Sequence, residues 1–145
     1  MIGDAAHVMV PFFGQGLNAG FEDVTILNEI LNSCEDDIPK ALETFTERRR
    51  NDCHAISDLS LYNYVELRDL TTRPSFHLRK FIDDSLFRLF PSYWLPLYQS
   101  VSFTNLSYEK CARNRRRQDT VILATALTIL VVAGELFARF VMFLC

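Results

Sequence analysis

The chain has 145 residues, room for one domain of ordinary size, and 49% of its side chains are apolar against 23% charged. That balance excludes a disordered chain, and a formal net charge of −3 argues against a nucleic-acid binder, which usually carries a basic surplus. The charge is unevenly placed. Residues 1–60 hold eleven acids and four bases, whereas residues 61–145 hold seven acids and eleven bases. Much of the basic excess lies at Arg113, Arg115, Arg116 and Arg117, directly ahead of the most apolar stretch, the order expected of a membrane flank. The cysteines at 34, 53, 111 and 145 form no CxxC and have no histidine at zinc spacing, so they read as separate reduced thiols. Asp4 and His7 interrupt any apolar run that could form an N-terminal signal peptide.

The opening segment, with Gly3 and no full strand ahead of it, predicts the end of a strand running into a loop. From Ala19 the pattern turns helical: Phe21, Val24, Leu27 and Leu31 recur at spacings of three and four, Ile30 widens the stripe, and Asn32-Ser33 ends it. Residues 34–38 form an acidic turn. Pro39 suits the first turn of the next helix, with Asp36 or Asp37 as its cap. Leu42, Phe45 and Arg49 are expected on one face of that helix, and Ile56, Leu59, Asn63, Leu67 and Leu70 on one face further along. No Pro or Gly occurs from Lys40 to Arg73, which predicts one long helix or two with a soft joint near Asn51-Asp52. Pro74 breaks the pattern. A short helix is expected from Ser75 to Phe90, then a loop, PSYWLPLYQSVSF, framed by Pro91 and Pro96, then a helix over Asn105 to Gln118.

Thr120 to Cys145 is the candidate membrane segment. Residues 120–134 carry no charge but rise only about 22 Å as a helix, so crossing a hydrocarbon core of roughly 30 Å needs the following residues too. Those include Glu135 and Arg139, four apart with the acid first, the better order for a helical pair. Thr125, Thr128, Val132, Glu135 and Arg139 fall on one stripe, so a helix lying on the membrane or packed on protein is the competing reading.

For chemistry, His7, His54 and His77 lie far apart and share no helix face, and structural or solvent-facing roles suit them. There is no GxSxG elbow and no GxxxxGK phosphate loop, so a hydrolase or kinase is unsupported. Arg48, Arg49 and Arg50 read as a solvated or salt-bridged helix face. The opening block GDAAHVMVPFFGQGLNAGFED differs. Asp4 offers a carboxylate to ligand hydroxyls, Gly14 and Gly16 let backbone approach a flat ligand, and a helix starting near Leu17 aims free N–H groups and a positive dipole end at an edge that becomes negative.

That block resembles the second FAD-binding motif of the flavoprotein aromatic hydroxylases. With AISDLSLYNYVELRD and LPLYQSVSF downstream, the chain is similar to the C-terminal portion of the members that act on L-kynurenine; the likeness is strongest over residues 3–23 and 55–69. The N-terminal GxGxxG dinucleotide fold and the arginine-bearing part of the substrate pocket of those enzymes are not found in these 145 residues. The resemblance implies a mostly α chain, the C-terminal part of an α+β FAD-dependent monooxygenase fold with a C-terminal membrane helix. Residues 1–33 would end the FAD-binding domain, 34–118 would close the substrate site, and 120–145 would anchor the chain. Asp4 would bind the ribityl chain of FAD, and Gly14, Gly16, Leu17 and Asn18 would contact the isoalloxazine. Pro11, Phe12 and Phe13 would lie where substrate meets flavin, and Asn63 and Tyr98 would bind the substrate carboxylate. No side chain is required as a catalytic acid or base and no metal is implied, since FAD, NADPH and O2 carry the chemistry. The lipid bilayer, by resemblance that of the outer mitochondrial membrane with the catalytic part facing cytosol, would be the other partner. Two alternatives stand beside this: a catalytically inactive, membrane-anchored helical interaction protein, and an FAD monooxygenase for another aromatic substrate.

Overall fold

The computed structural model describes residues 1–35 and 37–144. Among them there is no strand; the elements in order are α1 (Asp4–His7), a 3-10 turn (Pro11–Phe13), α2 (Gly16–Ser33), α3 (Ile38–Val65), a π-helical turn (Glu66–Leu70), α4 (Pro74–Leu89), α5 (Leu97–Phe103) and α6 (Tyr108–Leu144). By backbone contact the chain divides into two units, residues 1–112 and 113–145.

In the first unit α2 and α3 form a helical hairpin. Asp37 caps α3, its Oδ1 accepting the Lys40 N–H at 3.3 Å, and Pro39 sits in the first turn where its missing N–H costs nothing. The alternative cap, Asp36, lies outside the described residues. The hairpin closes over Ile30, Ala41 and Phe45, with Ile26, Leu27 and Leu31 against them. A second apolar cluster joins Phe13, Ala19, Ile56, Leu59, Leu97, Val101, Tyr108 and Cys111, drawing the 3-10 turn, α2, α3, α5 and the first turn of α6 into one core. Asp83 ties α4 to the segment after it, accepting from Arg79 Nε and from Trp94 Nε1, each at 2.9 Å.

Several expectations change. The opening segment is a short helix, not a strand end; Gly3, at φ +59°, makes the turn into it, a conformation costly for a side chain bearing Cβ. On α2, Phe21 and Val24 are exposed and the buried positions are Ala19, Asp23 and Ile30, because a charged network occupies that side of the helix. On α3, Leu42 is exposed and the buried row is Ala41, Phe45, Arg49, Asp52, Ile56 and Leu59; Leu67, on the π-helical turn beyond it, is exposed too. No joint interrupts α3 at Asn51-Asp52. The segment read as a loop contains α5, whose start Pro96 sets as N-cap, and residues 108–144 form one helix rather than two.

The second unit is the helix from Arg113 onward. It is long and apolar enough to cross a membrane by length and composition, and its apolar window is wholly unburied. The hydroxyls of Thr125 and Thr128 donate back to the carbonyls of Val121 and Ala124, at 2.8 and 2.9 Å. That satisfies them within the helix and reduces the polar stripe to Glu135 and Arg139.

Candidate functional site

A cleft of about 630 Å³ opens on the first unit, lined by Gly3, Asp4, Met9, Pro11, Gly14, Gly16, Leu17, Gly20, Phe21 and Val24. Nearly all of the opening motif therefore gathers at one place. The exposed apolar residues of α2 have an account here: Phe21 and Val24 are cleft wall, not core. Gly14 stands at φ +67°, its N–H donating to the Pro11 carbonyl at 3.2 Å to close the 3-10 turn. A Cβ built on Gly3, Gly14 or Gly16 would meet no protein atom within 4 Å. The glycines therefore leave space that side chains would fill, as a cradle for a ligand requires.

The N-terminus of α2 is at the same place. Its N-cap, Gln15, provides no side-chain acceptor to the first turn; its Oε1 instead takes the Asn18 amide at 2.9 Å. The Ala19 N–H is the first to bond within the helix, to the Gln15 carbonyl at 2.8 Å. The preceding amides at Gly16, Leu17 and Asn18 are thus left for a ligand or solvent, at the positive end of an 18-residue helix. Asp4, exposed on the rim, adds one carboxylate acceptor. A carboxylate for hydroxyls, a glycine cradle for a flat ring and a helix N-terminus for a negative edge fit FAD's ribityl and isoalloxazine portions.

The second group of expected residues converges through the 3-10 turn. Pro11 lines the cleft, the Phe12 carbonyl accepts the Asn63 amide at 3.0 Å, and the Phe13 ring stacks on Tyr98 with centroids 5.8 Å apart. Asn63 on α3 and Tyr98 on α5, far apart in sequence, thereby reach adjacent residues of the same 3-10 turn. Tyr98 is 57% exposed, so its phenol is open to a ligand. Two further residues belong to this wall and were not read from the sequence. Tyr64 lies 4.7 Å from the Phe12 ring, and the Arg68 guanidinium lies over Tyr64 at 5.0 Å, on the π-helical turn.

Beneath the cleft is a buried charged network that the sequence reading also missed. Asp23, fully buried, accepts the Gly3 N–H at 2.9 Å and the His7 Nε2–H at 2.7 Å on Oδ2. Its Oδ1 accepts from Arg49 Nε at 2.9 Å and lies 2.8 Å from Nη2 in the same ion pair. Arg49 Nη1 also lies 3.2 Å from Glu22 and 3.5 Å from Asp52. Only 2% of Arg49 is exposed, so of the solvated and salt-bridged readings the salt-bridged one holds for this residue, while Arg48 stays outside with Glu29 at 3.4 Å. Although burial opposes it, the hydrogen bonds of Gly3, His7 and Arg49 hold the Asp23 carboxyl below its usual range. The acids around Arg49 outweigh its own burial and raise its pKa, and burial pushes the Cys53 thiol up. His7, Asp23 and Cys53 offer ligand atoms within 4.8 Å of one another. Yet both Asp23 oxygens are already engaged, a guanidinium sits against them, and burial keeps the thiol protonated. The cluster therefore serves as a structural ion network rather than a metal centre. The only sequence signal for it was the helical spacing of Arg49 with Phe45; the pairing partners come from two other elements.

Residues 1–60 match the family described as FAD binding domain. The chain is 54% identical over 132 residues to a kynurenine 3-monooxygenase of Drosophila willistoni, covering 91% of this chain and 29% of that protein. It is 52% identical over 122 residues to the Anopheles gambiae enzyme of that name, covering 84% of this chain and 25% of the relative. The Sus scrofa enzyme is 43% identical over 122 residues, covering 84% and 26%. The chain thus spans between a quarter and three tenths of these relatives' length. Its similarity is to kynurenine 3-monooxygenases, and FAD is the cofactor its matched domain takes.

Proposed function

We propose that this chain, a relative of the kynurenine 3-monooxygenases, contributes the flavin-ring and substrate walls of an enzyme that hydroxylates L-kynurenine to 3-hydroxykynurenine at the expense of NADPH and O2. Bound FAD would supply the oxygen chemistry, accepting reducing equivalents from NADPH and passing one oxygen atom of O2 to the aromatic ring. The residues of this chain bind, orient and exclude water. Asp4 accepts from ribityl hydroxyls. Gly14 and Gly16 let the ring lie against backbone, and the amides of Leu17 and Asn18 favour negative charge at the ring edge by about 0.3–1 kcal/mol. Asn63 and Tyr98 donate to the substrate carboxylate, an amide N–H and a phenol O–H. Pro11 and Phe12 separate the two sites and supply apolar contact to an aromatic substrate, while Phe13, buried in the core, backs the Tyr98 ring.

The observation that carries this reading is the 3-10 turn, which presents Pro11 to the cleft while Phe12 and Phe13 hold Asn63 and Tyr98. In this reading residues 1–33 complete the FAD side, 34–118 close the substrate side, and 120–145 anchor the chain in the outer mitochondrial membrane. The catalytic part then faces cytosol, and Arg113–Arg117 stay on that side in keeping with the positive-inside tendency.

The test is made in the complete enzyme. Asn63→Ala and Tyr98→Phe each remove a donor to a charged group, worth about 1.5–3 kcal/mol, or roughly tenfold to a hundredfold in affinity. Each variant should retain its flavin and bind kynurenine more weakly when the oxidised flavin spectrum is titrated. Wild-type titration curves from both variants would overturn the assignment of these positions.

A further inference from the structure

The charged residues just ahead of the apolar stretch have so far had only a topological role. Within the second unit, Arg113, Arg116 and Arg117 are all exposed, and their spacing of three and one places them on an arc of about 100° of the helix surface. Arg115 is turned to another use: its Nε lies 3.5 Å from Asp119, the acid of this stretch. Within the second unit the arc carries no acid, and Glu109, four residues before Arg113, is the carboxylate ahead of it in sequence. Arg117 is three residues and Arg113 seven residues before Thr120, where the uncharged run begins. At 1.5 Å per residue these are rises of about 4.5 and 10 Å. The headgroup layer on each side of a bilayer is roughly 5–7 Å deep, so a helix entering at Thr120 holds Arg116 and Arg117 at headgroup depth, with Arg113 within a Debye length above them.

We propose that the Arg113–Arg116–Arg117 arc binds the acidic headgroups of phospholipids in the membrane that the following helix enters, so that the anchor selects anionic over zwitterionic lipid. The inference rests on the membrane-anchor reading of residues 120–145. The guanidinium fork matches a phosphodiester with two parallel N–H donors, and three such groups on one arc can engage neighbouring lipids in one leaflet.

The experiment reconstitutes the intact chain in bilayers of mixed phosphatidylcholine and phosphatidylglycerol. Resistance to alkaline extraction is checked first. The protein is then withdrawn in mild detergent and the retained lipids are quantified. Phosphatidylglycerol should be enriched over its share of the bilayer by about fivefold or more, since each basic residue near the surface contributes about that factor. R113Q/R116Q/R117Q should resist alkali equally and retain the two lipids in their input ratio. The triple lysine variant should keep most of the enrichment, and added salt should reduce it. An input-ratio lipid profile from alkali-resistant wild-type chain overturns the lipid proposal alone. Release of the wild-type chain by alkali overturns both it and the anchor.

Discussion

Asp23 and Arg49 are the residues on which the cleft floor depends. The carboxylate gathers the Gly3 amide and the His7 ring on one oxygen and the Arg49 guanidinium on the other, so it fixes the turn that carries Asp4. Arg49→Met leaves Asp23 buried without its countercharge, and such a loss costs about 3–5 kcal/mol. Denaturant unfolding should show that drop, with Arg49→Lys intermediate because an ammonium keeps the charge and loses the fork. The pH dependence follows from the lowered Asp23 pKa. Its contribution is complete above the ordinary value of 3.8 and is lost as pH falls through the lower folded value. The stability advantage of wild type over Asp23→Asn should therefore shrink as pH falls below 3.8. Asp4 offers a different test. In the complete enzyme Asp4→Ala should reduce flavin content, read from the visible absorption, because a charged acceptor contributes about 1.5–3 kcal/mol.

At the scale of elements, the helices hold one another by side chains that cross between them. Asp52 on α3 accepts the Glu109 N–H at 2.9 Å, so the first turn of α6 is capped by a residue 57 positions earlier. Asp52→Ala should cost about 0.5–2 kcal/mol, the value of a lost N-cap, in the thermal unfolding of the intact chain. Next to Glu109, Tyr108 is buried in the apolar cluster, and that burial pushes its phenol up to about 12. The folded state thus holds the proton more tightly than the unfolded chain, whose tyrosine ionises near 10. The resulting stability is complete below pH 10 and is lost as pH rises through about 12. An ultraviolet titration should show a late tyrosine step near pH 12 that Tyr108→Phe lacks.

For the whole molecule, the decisive property is that one unit carries the cleft and the other is a helix able to cross a bilayer. Residues 120–145 span about 39 Å as a helix, enough to cross with some tilt. With both threonine hydroxyls satisfied in the helix, Glu135 and Arg139 are the groups that oppose insertion. A chain ending at Gln118 should be released from membranes at alkaline pH, while the intact chain stays in the pellet. Arg139→Ala should stay inserted too, since it removes one of the two charged groups from the apolar helix. Loss of the intact chain to the supernatant would favour a surface-lying helix.

Much of the cleft was legible in the sequence because its parts are local. A glycine at positive φ, a proline-led turn and an uncapped helix start are properties of a few adjacent residues, and all fall within 21 consecutive positions. The apolar tail was equally legible, since length and composition alone decide whether a helix can cross lipid. Asn63 and Tyr98 came from family resemblance, and the fold explains why spacing could not find them: each reaches the 3-10 turn from its own helix, across 51 positions in the case of Asn63. Which face of α2 and α3 is buried also depended on tertiary structure. Apolar periodicity favoured Phe21, Val24 and Leu42 as core, but Arg49 compensates Asp23, so an ionic pair occupies the interior and the apolar residues of α2 are left to line the cleft. A buried charge is stable only beside its partner, and the partner's position is a property of the assembled helices.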